Sequence, residues 1–155
     1  MNTQRRTIVK GLSGAALLKV LAAAGFIAPG SALAEWNTAA FAAKSLGETL
    51  KALSAGTPAE SNHVSLTGPD IAENGAIVPV GVTSSLPNTT MVAILIEKNP
   101  NPLAASFVLP EGTEASVQTR IKMAQTSNVY ALVKADGKFF MATREIKVIV
   151  GGCGA

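Results

Sequence analysis

Residues 128–150 read NVYALVKADGKFFMATREIKVIV, two runs rich in β-branched and aromatic residues joined by Asp136-Gly137. An Asp-Gly pair between such runs is a strong hairpin signal, because the tightest hairpin turn needs positive φ at both central residues. The stretch therefore predicts two long antiparallel strands at the end of the chain. Immediately upstream, ASVQTRIKM (115–123) alternates small or apolar residues with polar ones. That is the pattern of a strand with one face in a core and the other in water. Further back lie HVSLTG (63–68), GAIVPVGVTSSL (75–86), TMVAILIEK (90–98) and LAASFVL (103–109). The intervening PDIAENG, LPNT, NPNP, PEGTE and QTS carry turn chemistry. About seven short strands at this spacing predict a mainly β fold, an immunoglobulin-like antiparallel β-sandwich.

One helix is expected before the strands. In AAFAAKSLGETLKAL (39–53), Ala39, Ala43, Leu46, Leu50 and Leu53 recur at steps of four and three, with Lys44, Glu48 and Lys51 opposite. The run MVAILIE (91–97) scarcely alternates, so either both faces of that strand are covered, one by the helix and the other by a partner protein, or it is an ordinary central strand.

The first residues have the layout of an export signal. Arg5 and Arg6 precede a weakly apolar Ala- and Gly-rich run from about Gly11 to Ile27. Pro29-Gly30 then breaks any helix, and Ala32-Leu33-Ala34 offers a peptidase site. Arg5-Arg6-Thr7-Ile8-Val9-Lys10 resembles a twin-arginine signal, which implies a periplasmic destination. A membrane anchor is the alternative, but Lys19 and the glycines leave the run marginal for a bilayer. The expected organisation is thus a cleaved leader (1–34), a sandwich domain (35–150) and a terminal arm (151–155).

Removing the leader reverses the charge. The chain has 13 Lys and Arg against 10 Asp and Glu. Four of the basic residues and none of the acids lie in the leader, so the remainder is close to neutral and slightly acidic. Nucleic-acid binding loses its electrostatic footprint. With one Cys and one His, an internal disulfide, a structural zinc site and a blue-copper site are all out of reach.

That single cysteine, Cys153, stands in VGGCGA (150–155), two places from the end. Gly151, Gly152 and Gly154 have no side chains to anchor in a core, and glycine reaches backbone angles that other residues avoid. They are expected to give a flexible, thin arm. Fully extended, Gly151 to Cys153 spans about 10 Å at ~3.4 Å per residue. No Lys, Arg or His in the tail lowers the thiol pKa, so Cys153 is poorly equipped as a catalyst but well placed to be delivered into another protein's active site.

An exported chain of this size ending Gly-Gly-Cys-Gly-Ala resembles the SoxY family, the sulfur-carrier Y subunits of the bacterial Sox thiosulfate-oxidation system. GAIVPVGVTSSLP (75–87) and EKNPNPLAASF (97–107) extend the resemblance through the chain. The resemblance implies that Cys153 carries thiosulfate-derived intermediates covalently in the periplasm, as S-thiosulfonate and persulfide. It implies a heterodimer with a SoxZ-like subunit. It also implies visits to a c-type cytochrome that conjugates thiosulfate, a hydrolase that releases sulfate and, in some hosts, a sulfane dehydrogenase. On this reading the chain is a carrier rather than an enzyme and needs no cofactor, metal or membrane. The family ending is Gly-Gly-Cys-Gly-Gly, so Ala155 is a departure.

Other readings stay open. A structural or adhesive sandwich could crosslink through Cys153 into a disulfide dimer. A ubiquitin-like carrier would use a terminal glycine carboxylate, whereas this chain ends in Ala and keeps a thiol. His63 is expected to be structural, and Glu97-Lys98 to be a strand end and turn.

Overall fold

The computed structural model describes residues 37–151, so the expected leader and Cys153, Gly152 and Gly154 lie outside the described residues. In chain order the described residues form α1 (Thr38–Ala42), α2 (Leu46–Ala52), β1 (Ala59–Glu60), β2 (Val64–Thr67), β3 (Ile71–Asn74), β4 (Val78–Ser84), β5 (Thr89–Ile96), β6 (Leu103–Val108), β7 (Ser116–Ile121), β8 (Ser127–Ala135) and β9 (Lys138–Val150).

The Asp136-Gly137 hairpin forms as expected. Both turn residues have positive φ, 48° and 74°, and Ala135 pairs with Lys138 across the turn. From there β8 and β9 run antiparallel to the Ser127–Ile146 pair. The larger sheet has the order β1-β9-β8-β5-β6, with β3 also paired to β9, and the smaller sheet has the order β2-β4-β7. The alternation seen at 115–123 is realised: Ala115, Ile121 and Met123 are buried, while Ser116, Gln118, Arg120 and Lys122 are exposed. Between the sheets lies a core of β-branched side chains, among them Val78, Val80, Val82, Val92, Ile94, Ile96, Val129 and Ile146. All seven expected strands are present in a mainly β sandwich.

Three features differ from the sequence reading. The segment PDIAENG contains a strand, β3, and a two-residue β1 precedes it. Both pair parallel to β9, so the sandwich is antiparallel except along that one edge. The signal is weak because neither piece is long enough to show a period. β3 is fixed by distant contacts: the Lys147 N–H donates to the Asp70 carbonyl, and Arg144 reaches the Asp70 carboxylate at 2.6 Å.

The expected single helix is two. Ala43 leaves the helical region, and Ser45 starts α2, its hydroxyl accepting from the Glu48 N–H at 3.2 Å. Glu48 reciprocates by accepting from the Lys44 N–H at 2.9 Å. Ser-x-x-Glu is a capping signature that the apolar periodicity overrode. Asn101 then holds the break by donating to the Phe41 and Ala43 carbonyls. Replacing Ser45 by Ala should cost about 1 kcal/mol, read as a lower midpoint in urea unfolding with an unchanged slope.

The third difference concerns β5. Both of its faces are buried, as expected, but by this chain alone. Val92, Ile94 and Ile96 face the smaller sheet, whereas Ala93 and Leu95 pack with Leu103 and Leu132 beneath Phe41, Leu46 and Leu50 of the helical segment. The second cover is therefore the other sheet, and the partner protein considered there is not needed to bury β5.

Candidate functional site

β9 is the strand that carries the chain toward Cys153, and its last residues fix where that chain leaves the sandwich. Two loops bond to it there, and a third braces one of them. From the β3–β4 turn, the Gly75 N–H donates to the Val150 carbonyl at 2.7 Å, and the Gly75 carbonyl accepts from the Met123 N–H at 2.7 Å. From the segment after β7, the Thr126 hydroxyl accepts from the Val148 N–H at 2.9 Å. From the β5–β6 turn, Asn99 donates to the Lys122 carbonyl at 2.8 Å and accepts from the Ala124 N–H at 3.0 Å. A single side chain thus clamps both ends of residues 122–124.

Gly151 is exposed and seats against this segment. A Cβ at Gly151 would collide with the Ala124 carbonyl oxygen, which is backbone and cannot swing aside. Gly75 is buried. The sequence reading treated Asn99 only as part of the NPNP turn and Gly75 as the start of a strand. No local pattern announces that they converge on the end of β9.

The same end of the fold gathers exposed aliphatic side chains. Ile77 is 62% exposed, Ile149 70% and Val150 62%, and Ile71 lies beside Lys147 on the outward side of β3. Among the described residues the other large exposed apolar side chain is Val108, at the far end of β6.

A polar cluster flanks the strand end on the larger sheet. The Glu97 carboxylate accepts from the Asn128 amide at 2.9 Å and from the Tyr130 hydroxyl at 3.3 Å. Burial lifts the Tyr130 hydroxyl above the ordinary value of 10.0, and the neighbouring Glu97 charge and hydrogen bond add to it. The fold thus favours the neutral phenol. Its stabilising contribution is complete below the unfolded value and is lost as pH rises through the higher folded one. Tyr130 is the only tyrosine, so an absorbance titration should show a single midpoint above 10.0. Glu97→Gln should move that midpoint downward.

His63 sits elsewhere. Its Nδ1 lies 3.0 Å from the Ser85 hydroxyl, beside the Val64–Ser84 pair at the opposite end of β4 from Gly75. That is about 20 Å along the strand at ~3.3 Å per residue. The pair is exposed. Among the described residues no group of three or more His, Cys, Asp or Glu could hold a metal ion.

The family model for "Sulfur oxidation protein SoxY" matches residues 50–153, two thirds of the chain, and its last matched position is Cys153. The chain belongs to the SoxY family. A solved structure of the sulfur carrier protein SoxY from Chlorobium limicola f thiosulfatophilum is 39% identical, with a TM-score of 0.61, and the alignment covers 70% of this chain and 96% of that one. This likeness agrees with the sandwich and with the resemblance read from the sequence. A chain from a structure on T cell activation by the bacterial superantigen toxic shock syndrome toxin-1 aligns with 12% identity and a TM-score of 0.40, over 56% of this chain and 98% of that one. A likeness of that size carries nothing about fold or function. No curated protein sequence matches this chain.

Proposed function

We propose that this chain is a periplasmic sulfur carrier, with Cys153 as the covalent attachment point. The observation that carries the reading is the SoxY-family match running to the only cysteine of the chain. The name of the solved relative, a sulfur carrier protein, points the same way. The position of the root supports it physically. Gly151 leaves the body at the end of β9, and Cys153 lies within about 10 Å of it at full extension. Any centre that receives this thiol must therefore touch the surface around Ile77, Ile149 and Val150.

The chemistry follows from a thiol and thiosulfate. The Cys153 sulfur and the outer sulfur of thiosulfate each give up an electron to the haems of a c-type cytochrome, the thiol proton goes to water, and a sulfur–sulfur bond forms. Hydrolysis of the terminal sulfonate by a second enzyme releases sulfate and leaves a persulfide on Cys153. A sulfane dehydrogenase, in hosts that have one, oxidises that outer sulfur. Through all of this the chain holds and presents the sulfur, and the partner enzymes do the bond chemistry. A SoxZ-like subunit completes the carrier. Residues 1–34 act as a twin-arginine leader that takes the folded chain to the periplasm, residues 35–150 form the carrier domain, and 151–155 form the arm.

Intact-mass spectrometry of the protein from cells given thiosulfate tests the reading. The expected result is loss of residues 1–34 together with sulfur and thiosulfonate additions that a thiol reductant removes. A bare thiol, or a disulfide dimer that persists whatever the sulfur supply, would overturn it in favour of a crosslinked structural sandwich.

A further inference from the structure

We propose that Asn99 is a positioning residue for sulfur loading. By clamping residues 122–124 it turns the Ala124 carbonyl into a fixed stop against which Gly151 seats, so that the segment leading to Cys153 is rooted at one place on the sandwich. The proposal rests on the carrier reading of Cys153 and adds to it the device that holds the root of the thiol-bearing segment.

The two bonds made by Asn99 have different jobs. Its amide nitrogen holds the Lys122 carbonyl, and its amide oxygen holds the Ala124 N–H, so the short run between them cannot rotate. The middle residue, Met123, is anchored twice more: its side chain is fully buried and its N–H is bonded to Gly75. Gly75 in turn holds the Val150 carbonyl. These contacts form a collar at the last bonded residue of β9, which Gly75 bonds directly and Asn99 braces through residues 122–124. Gly151 is then a glycine because a backbone carbonyl occupies the space a Cβ would need. The root matters because the thiol stands only two residues beyond the collar. It fixes the point from which that short segment reaches, and so the surface that a receiving centre has to approach.

The lone thiol allows a direct test on the purified chain. A nitroxide attached to Cys153 reports motion beyond the collar, and amide hydrogen exchange at Gly75 and Ala124 reports the collar itself. Gly151→Ala must displace the strand end, and Asn99→Ala removes both clamp bonds. Each should raise exchange at Gly75 or Ala124 about tenfold or more and sharpen the nitroxide spectrum. Asn99→Asp keeps the acceptor for the Ala124 N–H and should restore part of the protection there. Gly152→Ala adds a methyl one residue later and should leave Gly75 exchange within about twofold of the parent. A circular dichroism melt on each variant separates a loosened collar from a failed fold. If Gly151→Ala behaved like Gly152→Ala, or if Asn99→Ala left both the exchange and the spectrum unchanged, the collar would be wrong. Neither readout needs bound sulfur, so failure here is distinct from failure of the carrier reading.

Discussion

Cys153→Ser should abolish every thiosulfate-dependent mass addition and reduce sulfate release by the reconstituted Sox proteins to the level seen with no carrier. Serine differs by one atom, but its hydroxyl cannot give up electrons to form a sulfur–sulfur bond, and no second cysteine exists to substitute. On the proposed reading the loss should be complete, because Cys153 is then the point of attachment. A graded effect would be the mark of a residue that only tunes a reaction. The same change lies three residues past the end of β9, in a glycine-rich stretch, so its effect on stability should stay within about 0.5 kcal/mol. The two measurements together are decisive. Lost adducts with an unchanged melting temperature locate the defect in the carried chemistry. Retained sulfate release would mean that the sulfur travels elsewhere. The crosslinked-sandwich alternative predicts something different: in that case the parent forms a disulfide dimer with or without thiosulfate, and the serine variant loses only the dimer.

The second large effect is on the fold. Ile94 is fully buried in the middle of β5, pairing with Ala131 on one side and Ala105 on the other, and packs into the core between the two sheets. Its immediate cross-strand neighbours are small, and the side chains opposite it stand on another sheet, so little can collapse into the space left behind. Ile94→Ala should therefore cost about 4 kcal/mol and lower the melting temperature by roughly 15 °C. Val108→Ala, at a site 82% exposed near the far end of the sandwich, should change stability by no more than about 0.5 kcal/mol. Comparable losses at the two positions would show that the core between the sheets is not what holds the fold.

These two positions also separate what was legible in the sequence from what was not. The expectation of a working thiol at Cys153 and the burial of Ile94 are both local readings. The first rests on composition in the tail, and the second on an apolar run too long to alternate. The β8–β9 hairpin belongs with them, because Asp136-Gly137 carries its own backbone preference. So does the wet and dry alternation of β7, which a strand imposes on its own side chains.

Other features needed the assembled chain. β3 has too few residues to show a period, and it is a strand because β9 offers it an unpaired edge and Asp70 binds Arg144 and Lys147 there. The division of the helical segment was written in Ser45 and Glu48, but it competed with a continuous apolar stripe. Asn101, far away in sequence, supplies donors for the two carbonyls at the break. The second cover of β5 could be assigned to the smaller sheet only once the order β2-β4-β7 was known.

The collar is the clearest case. Asn99, Gly75, Ala124 and Gly151 come from four separated stretches, and nothing in any one of them predicts the others. By itself the sequence determined seven of the nine strands among the described residues, the core-forming runs and the position of the lone thiol, because period, turn chemistry and residue type are properties of neighbouring residues. Only the tertiary structure decided which edges pair, what covers β5 and how the root of the thiol-bearing segment is held, because backbone donors and acceptors choose partners by position in space.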